Sequence, residues 1–467
     1  MLIGVLTGPT IKEALEQMQK ALPWVDGVEW RLDLFSSLEM EEVGAAVEQW
    51  PKWTVFTFRG ASKKTTEQWL TLQPDFFDID FREGSHWVKE IIEAFSNTKI
   101  ILSWHDFDKT PDDLEFLFNK MQRIPAYAYK IAAKAHSVVD AFRMLVFVHT
   151  HERVIGISMG EEGQASRILG PIVGNVLDYA SLGNADPALG QIEVMELCTV
   201  YRYRKLRRGD PIYALLGDPV CYSISHTTHN RCLEDFELPG VYLKLRLREK
   251  ELQTFRLLAS TLPFRGFSVT MPLKNAIRGI LDVMPKGPIN TISIEKGIWI
   301  GSNTDGRAVV ALLEEHFLLQ DKKCLILGAG GAAYAIAMAC RMRGAKIAIA
   351  NRTKESAENI AREVDGEVFS LEELPKEYDV LIQATNVGMS PEEEKMPVSK
   401  EAILSSSLVL EVISSPIKTR VVATALDKGC LVISGRELFL AQAAAQFHIW
   451  TGRLPDLMPQ DRSALLV

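Results

Sequence analysis

Residues 322–353 read KKCLILGAGGAAYAIAMACRMRGAKIAIANRT. An apolar run, Leu325-Ile326-Leu327, enters the glycine string Gly328-Ala329-Gly330-Gly331. Ala332 and Ala333 then open an alanine-rich helical segment, and a second apolar run follows, KIAIA (346–350). Strand, tight turn, helix and strand within about 30 residues is the pattern of a dinucleotide-binding βαβ unit. The glycines let the chain turn sharply and approach a pyrophosphate, which the helix N-terminus stabilises. Gly328, Gly330, Gly331 and Ala332 are therefore expected at a dinucleotide. The second strand ends in Asn351-Arg352-Thr353, where an NAD enzyme usually carries an acid for the ribose. Here no carboxylate repels a 2′-phosphate and a guanidinium is present to bind it, so NADP is expected rather than NAD.

Toward the N-terminus, GFSVTMPLK (266–274) places Lys274 two residues after Pro272. Proline suits the first turn of a helix, and a cation there opposes the helix dipole, which disfavours the ammonium. GSNTDG (301–306) places Asp305 where a helix begins. Alone, Asp305 reads as a helix cap and Lys274 as a solvated lysine. As a pair they also suit passing a proton to or from an alcohol during hydride transfer.

Up to about residue 208 the pattern is different. Short apolar runs alternate with amphipathic stretches: LIGVLT (2–7), GVEWRLDL (27–34), WTVFTF (53–58), FFDIDF (76–81), KIILSWH (99–105), AYAYKIA (126–132), RVIGISM (153–159) and IVGNVLDYA (172–180). Ile11, Ala14, Leu15, Met18 and Leu22 mark the first helical face. About eight such βα units in about 200 residues predict, by count alone, a closed (β/α)8 barrel of the TIM type; an open parallel sheet would show similar periodicity. Both faces of its strands are buried, so a polar residue inside needs a reason, and near a strand's C-terminal end that reason is often an active site. Period two puts Glu29, Arg31 and Asp33 on one face, and Asp78 and Asp80 on one face. Arg59 ends its strand, His105 lies opposite Trp104, and Lys130 is the one cation of an apolar run. Burial disfavours an ammonium, and a neutral amine attacks a ketone to form an imine. His105, on the preceding strand, is placed to move the proton that the imine acidifies. Arg31, Arg59 and Arg167 suit a carboxylate and hydroxyls. Structural alternatives stand beside this: a satisfied core histidine at His105, and a buried Glu29–Arg31 ion pair.

Between the two halves, RYRKLRR (202–208) reads as a solvated helix end, and Gly209-Asp210-Pro211 as a boundary. Net charge is −8, mildly acidic and mixed, which argues against a nucleic-acid surface. The six cysteines are scattered without a CxxC pair, as expected of reduced thiols. MLIGVLTGPT lacks the basic start of a signal peptide, and no apolar run is long enough for a bilayer. A soluble cytoplasmic protein acting on small molecules is expected. His149 and His151 lack a HExxH frame, so no metal site is expected. The sequence sets no oligomeric state.

The motifs VEWRLDL (28–34), FTFR (56–59), FFDIDF, SWHDFDKTP (103–111), YKIA (129–132), SMGEEGQASR (158–167) and GQI (190–192) resemble type I 3-dehydroquinate dehydratase over residues 1–207. That resemblance implies substrate contacts at Glu29, Arg31, Arg59, Asp80, Arg167 and Gln191, an imine on Lys130 and a proton shuttle at His105. Asp80 stands where the family usually has Glu, and Asp186-Pro187-Ala188-Leu189-Gly190-Gln191 replaces its usual Ser-Ala-Pro-Gly-Gln. LLGDPVCYSISHTTHN (215–230), GFSVTMPLK, INT (289–291), SNTDG (302–306), ANRT (350–353), ATNVGM (384–389) and GRELFLAQAAAQFHIWTG (435–452) resemble shikimate dehydrogenase. The implied substrate contacts are Ser223, Ser225, Thr270, Asn290, Asp305 and Gln442, with Lys274 and Asp305 catalytic. Gly330, Gly331, Asn351, Arg352, Thr353 and Met389 would border NADP. His226, Ser268 and Ser414 differ from the commoner proline, asparagine and tyrosine. The implied organisation is an α/β chain: a dehydratase barrel (1–208), a shikimate-binding lobe (209–310), a Rossmann NADP-binding lobe (311–435), and a C-terminal helix returning to the substrate lobe (436–467). The two reactions join end to end, 3-dehydroquinate to 3-dehydroshikimate to shikimate. Two other readings are an oxidative quinate or shikimate dehydrogenase, and a metabolite-binding regulator without turnover.

Overall fold

A computed structural model describes residues 1–183, 186, 189–404 and 407–459. The chain folds as two compact units, Met1–Ala214 with Leu233–Phe264, and Leu215–Cys232 with Arg265–Val467.

The first unit carries eight strands: β1 (Leu2–Leu6), β2 (Gly27–Arg31), β3 (Trp53–Thr57), β4 (Phe76–Asp80), β5 (Lys99–Asp106), β6 (Ala128–Lys134), β7 (Val154–Met159) and β8 (Asp178–Ser181). They pair in parallel in the order β7-β6-β5-β4-β3-β2-β1-β8, so the eight predicted units form a nearly closed barrel. The remaining seam is bridged just before β8. Val176 N donates to Val154 O (3.2 Å), and the Asn175 side chain both accepts from Gly156 N (2.8 Å) and donates to Gly156 O (3.3 Å). An amide side chain thus satisfies ladder groups that a strand would otherwise pair. Ile3, Val55, Phe76, Ile101, Ala128, Ile155 and Tyr179 fill the barrel core.

Several local expectations change. β2 ends at Arg31, and Leu32–Leu34 form a 3-10 turn, so Asp33 is off the strand. The run 172–180 is mostly not strand: Ile172 and Val173 finish the helix Gln164–Val173, which stops at left-handed Gly174. In the first helix the buried residues are Ala14, Met18 and Ala21, while Leu15 and Leu22 are exposed. The basic run is solvated only in part. Arg202 is buried, pairs with Glu234 (2.8 Å) and donates to Leu238 O and Gly240 O. Buried Tyr203 donates to Asp178 (2.6 Å), whereas Arg204, Lys205, Arg207 and Arg208 are exposed.

After the barrel come β9 (Ile212–Gly217) and β10 (Val241–Arg246). In the second unit β11 (Phe264–Val269), β12 (Thr291–Glu295) and β13 (Ile298–Ser302) pair antiparallel in sequence order. β14 (Lys323–Leu327), β15 (Lys346–Ala350), β16 (Glu367–Phe369), β17 (Val380–Gln383), β18 (Leu408–Glu411) and β19 (Leu431–Ile433) form a six-stranded parallel sheet, β16-β15-β14-β17-β18-β19. Counted from β14 this is the Rossmann order 3-2-1-4-5-6, with its switch point between β14 and β17. Cys324 and Ile326 face one core cluster and Leu325 and Leu327 the other, so helices cover both sheet faces. Among the described residues no helix is long and apolar enough to cross a membrane.

Candidate active sites

In the barrel, Lys130 on β6 is buried with its Nζ 2.9 Å from Asp78 Oδ2 and 3.6 Å from Glu29 Oε1. The Nζ also lies 4.1 Å from the centroid of the Tyr179 ring. Sequence alone presents Lys130 as a lone cation in an apolar run; the barrel instead brings two carboxylates to it. Glu29 is fixed in turn by Thr57 Oγ1, which donates to it at 2.7 Å. Burial by itself raises the Asp78 pKa, but the neighbouring Lys130 charge and the hydrogen bonds from Ser103 and Lys130 hold its carboxyl below the usual carboxylate range.

His105 on β5 is buried, its Nδ1 3.6 Å from Asp80 Oδ2. Asp80, shorter by a methylene than glutamate, also accepts from Arg82 N (2.8 Å). Burial lowers the His105 pKa more than Asp80 raises it, so the imidazole is neutral at neutral pH and able to accept a proton. Arg59 sits over the Phe107 ring (5.8 Å), and Phe107 stacks on His105. Arg167 donates weakly to Tyr179 O (3.4 Å); burial pushes its pKa down to about 10, still cationic near neutrality. Arg31 is the exception among the expected clamps: its Nε and Nη2 are already bound by Asp33 at 3.0 and 2.7 Å. Gln191 Oε1 accepts from Asp186 N (3.0 Å). The loop packs on Gly160 through Gly190, whose φ of +66° suits glycine. Pro187 and Ala188, part of the altered family motif, lie outside the described residues.

The buried polar atoms without a hydrogen-bond partner among the described residues include Arg59 Nε, His105 Nδ1, Ser158 Oγ, Arg167 Nε and Tyr179 Oη. Native interiors satisfy most such groups, so this set in one barrel marks a place where a polar ligand binds. Asp78 and Tyr179 are absent from the sequence-based candidate set. Asp78 was legible, because it shares a strand face with Asp80. Tyr179 was not, because its strand is short and lies at the end of an ambiguous apolar run.

In the second unit, Asp305 heads the helix Asp305–Glu314, with Thr304 as the cap position and no side-chain cap bond. Its carboxylate binds side chains instead. Lys274 and Asn290 donate to it, as does Gln442 Nε2 (2.7 Å). Asn290 is oriented by Thr304, whose N–H donates to Asn290 Oδ1 at 2.8 Å, and by Gln446, which donates to Asn290 O at 3.2 Å. Gln446 is held by Ser268 (2.7 Å), so the serine at this altered position has a partner. Gln442 and Gln446 lie four apart on the helix Gly435–Thr451, begun by a Ser434/Glu437 capping box. The Gln446 contribution follows from that spacing. The helix that holds Lys274 is only Leu273–Ala276. One turn has little dipole, so the ion pair with Asp305 dominates the setting of Lys274. Ser223 donates to Ser225 (2.9 Å), and Thr270 N donates to Leu216 O (2.9 Å).

Gly328 has φ +110° and Gly330 caps the helix Gly331–Met342. A Cβ at Gly330 would meet nothing within 4 Å, whereas one at Gly331 would lie 3.2 Å from Pro288 and 3.6 Å from Lys274 Cδ. The glycine turn is thus open on one side and borders the Lys274–Asp305 pair on the other. Half-buried Ala332 follows in the helix's first turn. Gly328 N donates to Ala350 O (2.8 Å), bringing the β15 end beside the turn. There Asn351 donates to Thr353 O (3.0 Å), and Arg352 and Thr353 are exposed with no acid at the strand end. Met389 follows β17 on the other side of β14. These groups fit a 2′-phosphorylated dinucleotide.

Residues 4–208 match the type I 3-dehydroquinase family, residues 215–291 the shikimate dehydrogenase substrate binding domain, and residues 311–409 the shikimate / quinate 5-dehydrogenase family. Across nearly the whole length, the chain is 33% identical to a shikimate biosynthesis protein AroDE of Chlamydia pneumoniae, covering 98% of this chain and 96% of that one. The chain belongs to the bifunctional 3-dehydroquinate dehydratase/shikimate dehydrogenase family. A chloroplastic bifunctional member of Arabidopsis thaliana is 31% identical over 91% of this chain and 78% of its own. A crystal structure of a shikimate dehydrogenase in complex with NADP+ aligns with a TM-score of 0.51 at 33% identity, over 53% of this chain and 91% of that one. The family's two parts coincide with the two side-chain clusters described above.

Proposed function

We propose that this chain dehydrates 3-dehydroquinate to 3-dehydroshikimate in its barrel and reduces that product to shikimate with NADPH in its second unit. The observation that carries the reading is the presence, in one chain, of a buried lysine beside a buried histidine and of a lysine–aspartate pair bordering a glycine turn. Lys130 attacks the substrate ketone, and Asp78 Oδ2 is within reach of the proton that Nζ sheds. The resulting imine draws electrons from the neighbouring carbon, and His105 removes a proton there and returns it to the departing hydroxyl. Arg59, Arg167, Glu29, Asp80 and Gln191 bind the substrate's carboxylate and hydroxyls, with Arg31 acting through Asp33.

Bound NADPH supplies the hydride for the second step. Lys274 and Asp305 deliver the proton that the new alcohol oxygen requires, while Asn290 and Gln442 keep Asp305 in place. Ser223, Ser225 and Thr270 are further substrate contacts. Gly328, Gly330, Gly331, Ala332, Asn351, Arg352, Thr353 and Met389 hold the cofactor, with Arg352 on its 2′-phosphate. We divide the chain by role into a barrel (1–208), a substrate lobe (209–310), a cofactor lobe (311–435) and a closing helical segment (436–467), and place the enzyme in the cytoplasm.

Borohydride reduction in the presence of 3-dehydroquinate, followed by mass measurement, tests the first half: a stable adduct on Lys130 is expected, and binding without an adduct refutes the imine. Lys274→Ala tests the second. Shikimate dehydrogenase turnover should fall at least 100-fold with NADPH affinity near normal, and unchanged turnover refutes its role.

A further inference from the structure

The aromatic ring beside Lys130 carries a hydroxyl that the chemistry above does not use. Tyr179 on β8 is 5% exposed, and its ring meets the Lys130 Nζ at 4.1 Å. A phenylalanine would supply the same ring. The phenol oxygen is buried and has no hydrogen-bond partner among the described residues. Buried tyrosine hydroxyls usually find one, because an unpaired one costs on the order of a lost hydrogen bond. No acceptor among the described residues, the carboxylates of Glu29 and Asp78 included, is hydrogen-bonded to the Tyr179 hydroxyl. Burial first, and then the fields of Glu29, Asp78 and Asp178, push the phenol's pKa well above its ordinary value, so it remains a donor. The missing acceptor must therefore arrive with a ligand, at the place where the amine reacts.

We propose that Tyr179 donates a hydrogen bond to the substrate oxygen on the carbon that Lys130 attacks, and holds that oxygen through imine formation. This rests on the imine reading of Lys130. As the Nζ–C bond forms, the C=O π pair moves onto oxygen. The proton shed by Nζ ends on that oxygen and gives a carbinolamine. A second proton, the one that the Lys130 ammonium gave to Asp78 before attack, lets the oxygen leave as water while the nitrogen lone pair forms the C=N bond. The phenol keeps its own proton throughout and serves to stabilise developing negative charge on the oxygen.

Tyr179→Phe removes one unpartnered oxygen, so the variant should melt at or above the wild-type temperature. Its dehydratase kcat/KM should fall by roughly 100- to 1000-fold, as for loss of one such donor. Borohydride-trapped adduct on Lys130 should accumulate correspondingly more slowly at saturating 3-dehydroquinate, with shikimate dehydrogenase activity of the same chain unchanged. A kcat/KM within twofold of wild type overturns the proposal, as does a loss confined to KM with adduct forming at the wild-type rate. If wild type itself gives no adduct, the imine reading fails as well, which separates the two failures.

Discussion

At His105 burial sets how the imidazole titrates, and a carboxylate oxygen 3.6 Å away opposes it. Burial lowers the His105 pKa, Asp80 opposes that, and the cations Lys130 and Arg59 add to the lowering. A base must be neutral to accept a proton, so dehydratase kcat/KM should hold as pH falls through the ordinary histidine range and drop only below it. Asp80→Asn keeps a side chain able to cap Arg82 N but removes the charge that favours imidazolium. The acid limb should then move to still lower pH. A pH profile of kcat/KM for both proteins checks this, and a limb that moves upward in Asp80→Asn would remove His105 as its source. The same residue shows what sequence could convey. Period two placed His105, Asp80 and Lys130 on chemically active strand faces, but the distance that decides whether Asp80 bonds to His105 depends on strand twist and shear, which no periodicity encodes.

Strand β18 ends in an acid sealed inside the sheet. Glu411 is fully buried, accepts from Ile413 N (2.9 Å) and Thr419 Oγ1 (2.7 Å), and burial pushes its pKa up to about 7. Thr419 caps the next helix, Arg420–Asp427, so the carboxyl ties the strand end to that helix. A raised carboxyl pKa means that the folded state binds more protons than the unfolded one between about pH 4.5 and 7. The contribution of Glu411 to stability is thus complete below that window and lost as pH rises through it, by roughly 3 kcal/mol. Glu411→Gln cannot ionise. Relative to this variant, the second unit of the wild type should lose roughly 6–12 °C of melting temperature between pH 5 and 8. Parallel melting curves for the two proteins across that range would show that the buried carboxyl does not titrate there. Elements like β18 were only partly legible. The βαβ pattern at 322–353 located β14 and β15 because the glycine string fixes both ends. The three- and four-residue strands farther along carry too little periodicity to fix theirs, and Ile172 and Val173, apolar enough for a strand, belong to a helix because Gly174 ends one.

For the whole chain, the two-enzyme organisation was legible because each half carries its own polar set and its own resemblance to a known family. What sequence did not convey is which segments pack together. The family match for the substrate binding domain spans residues 215–291, yet Leu233–Phe264 belongs to the barrel's compact unit. Fully buried Phe142 packs on Phe255 (5.0 Å) and Phe264 (5.8 Å), Arg202 is bound by Glu234, and Arg248 pairs with Glu162 (3.2 Å) in the loop after β7. A chain ended after residue 208 therefore keeps every barrel strand but loses the cover of Phe142 and the partner of Arg202. Exposing one buried phenylalanine costs about 1.5–3 kcal/mol, and the fragment should melt roughly 5–10 °C below the first unit's transition in the intact chain. Its loop at Glu162 would also lose Arg248, so dehydratase kcat/KM should fall even below the melting point. Calorimetry and dehydratase assays on the fragment and the full chain decide the matter. Equal melting temperatures and equal kcat/KM would mean that the barrel is energetically complete by residue 208 and that the packing of Leu233–Phe264 on it is incidental to its stability.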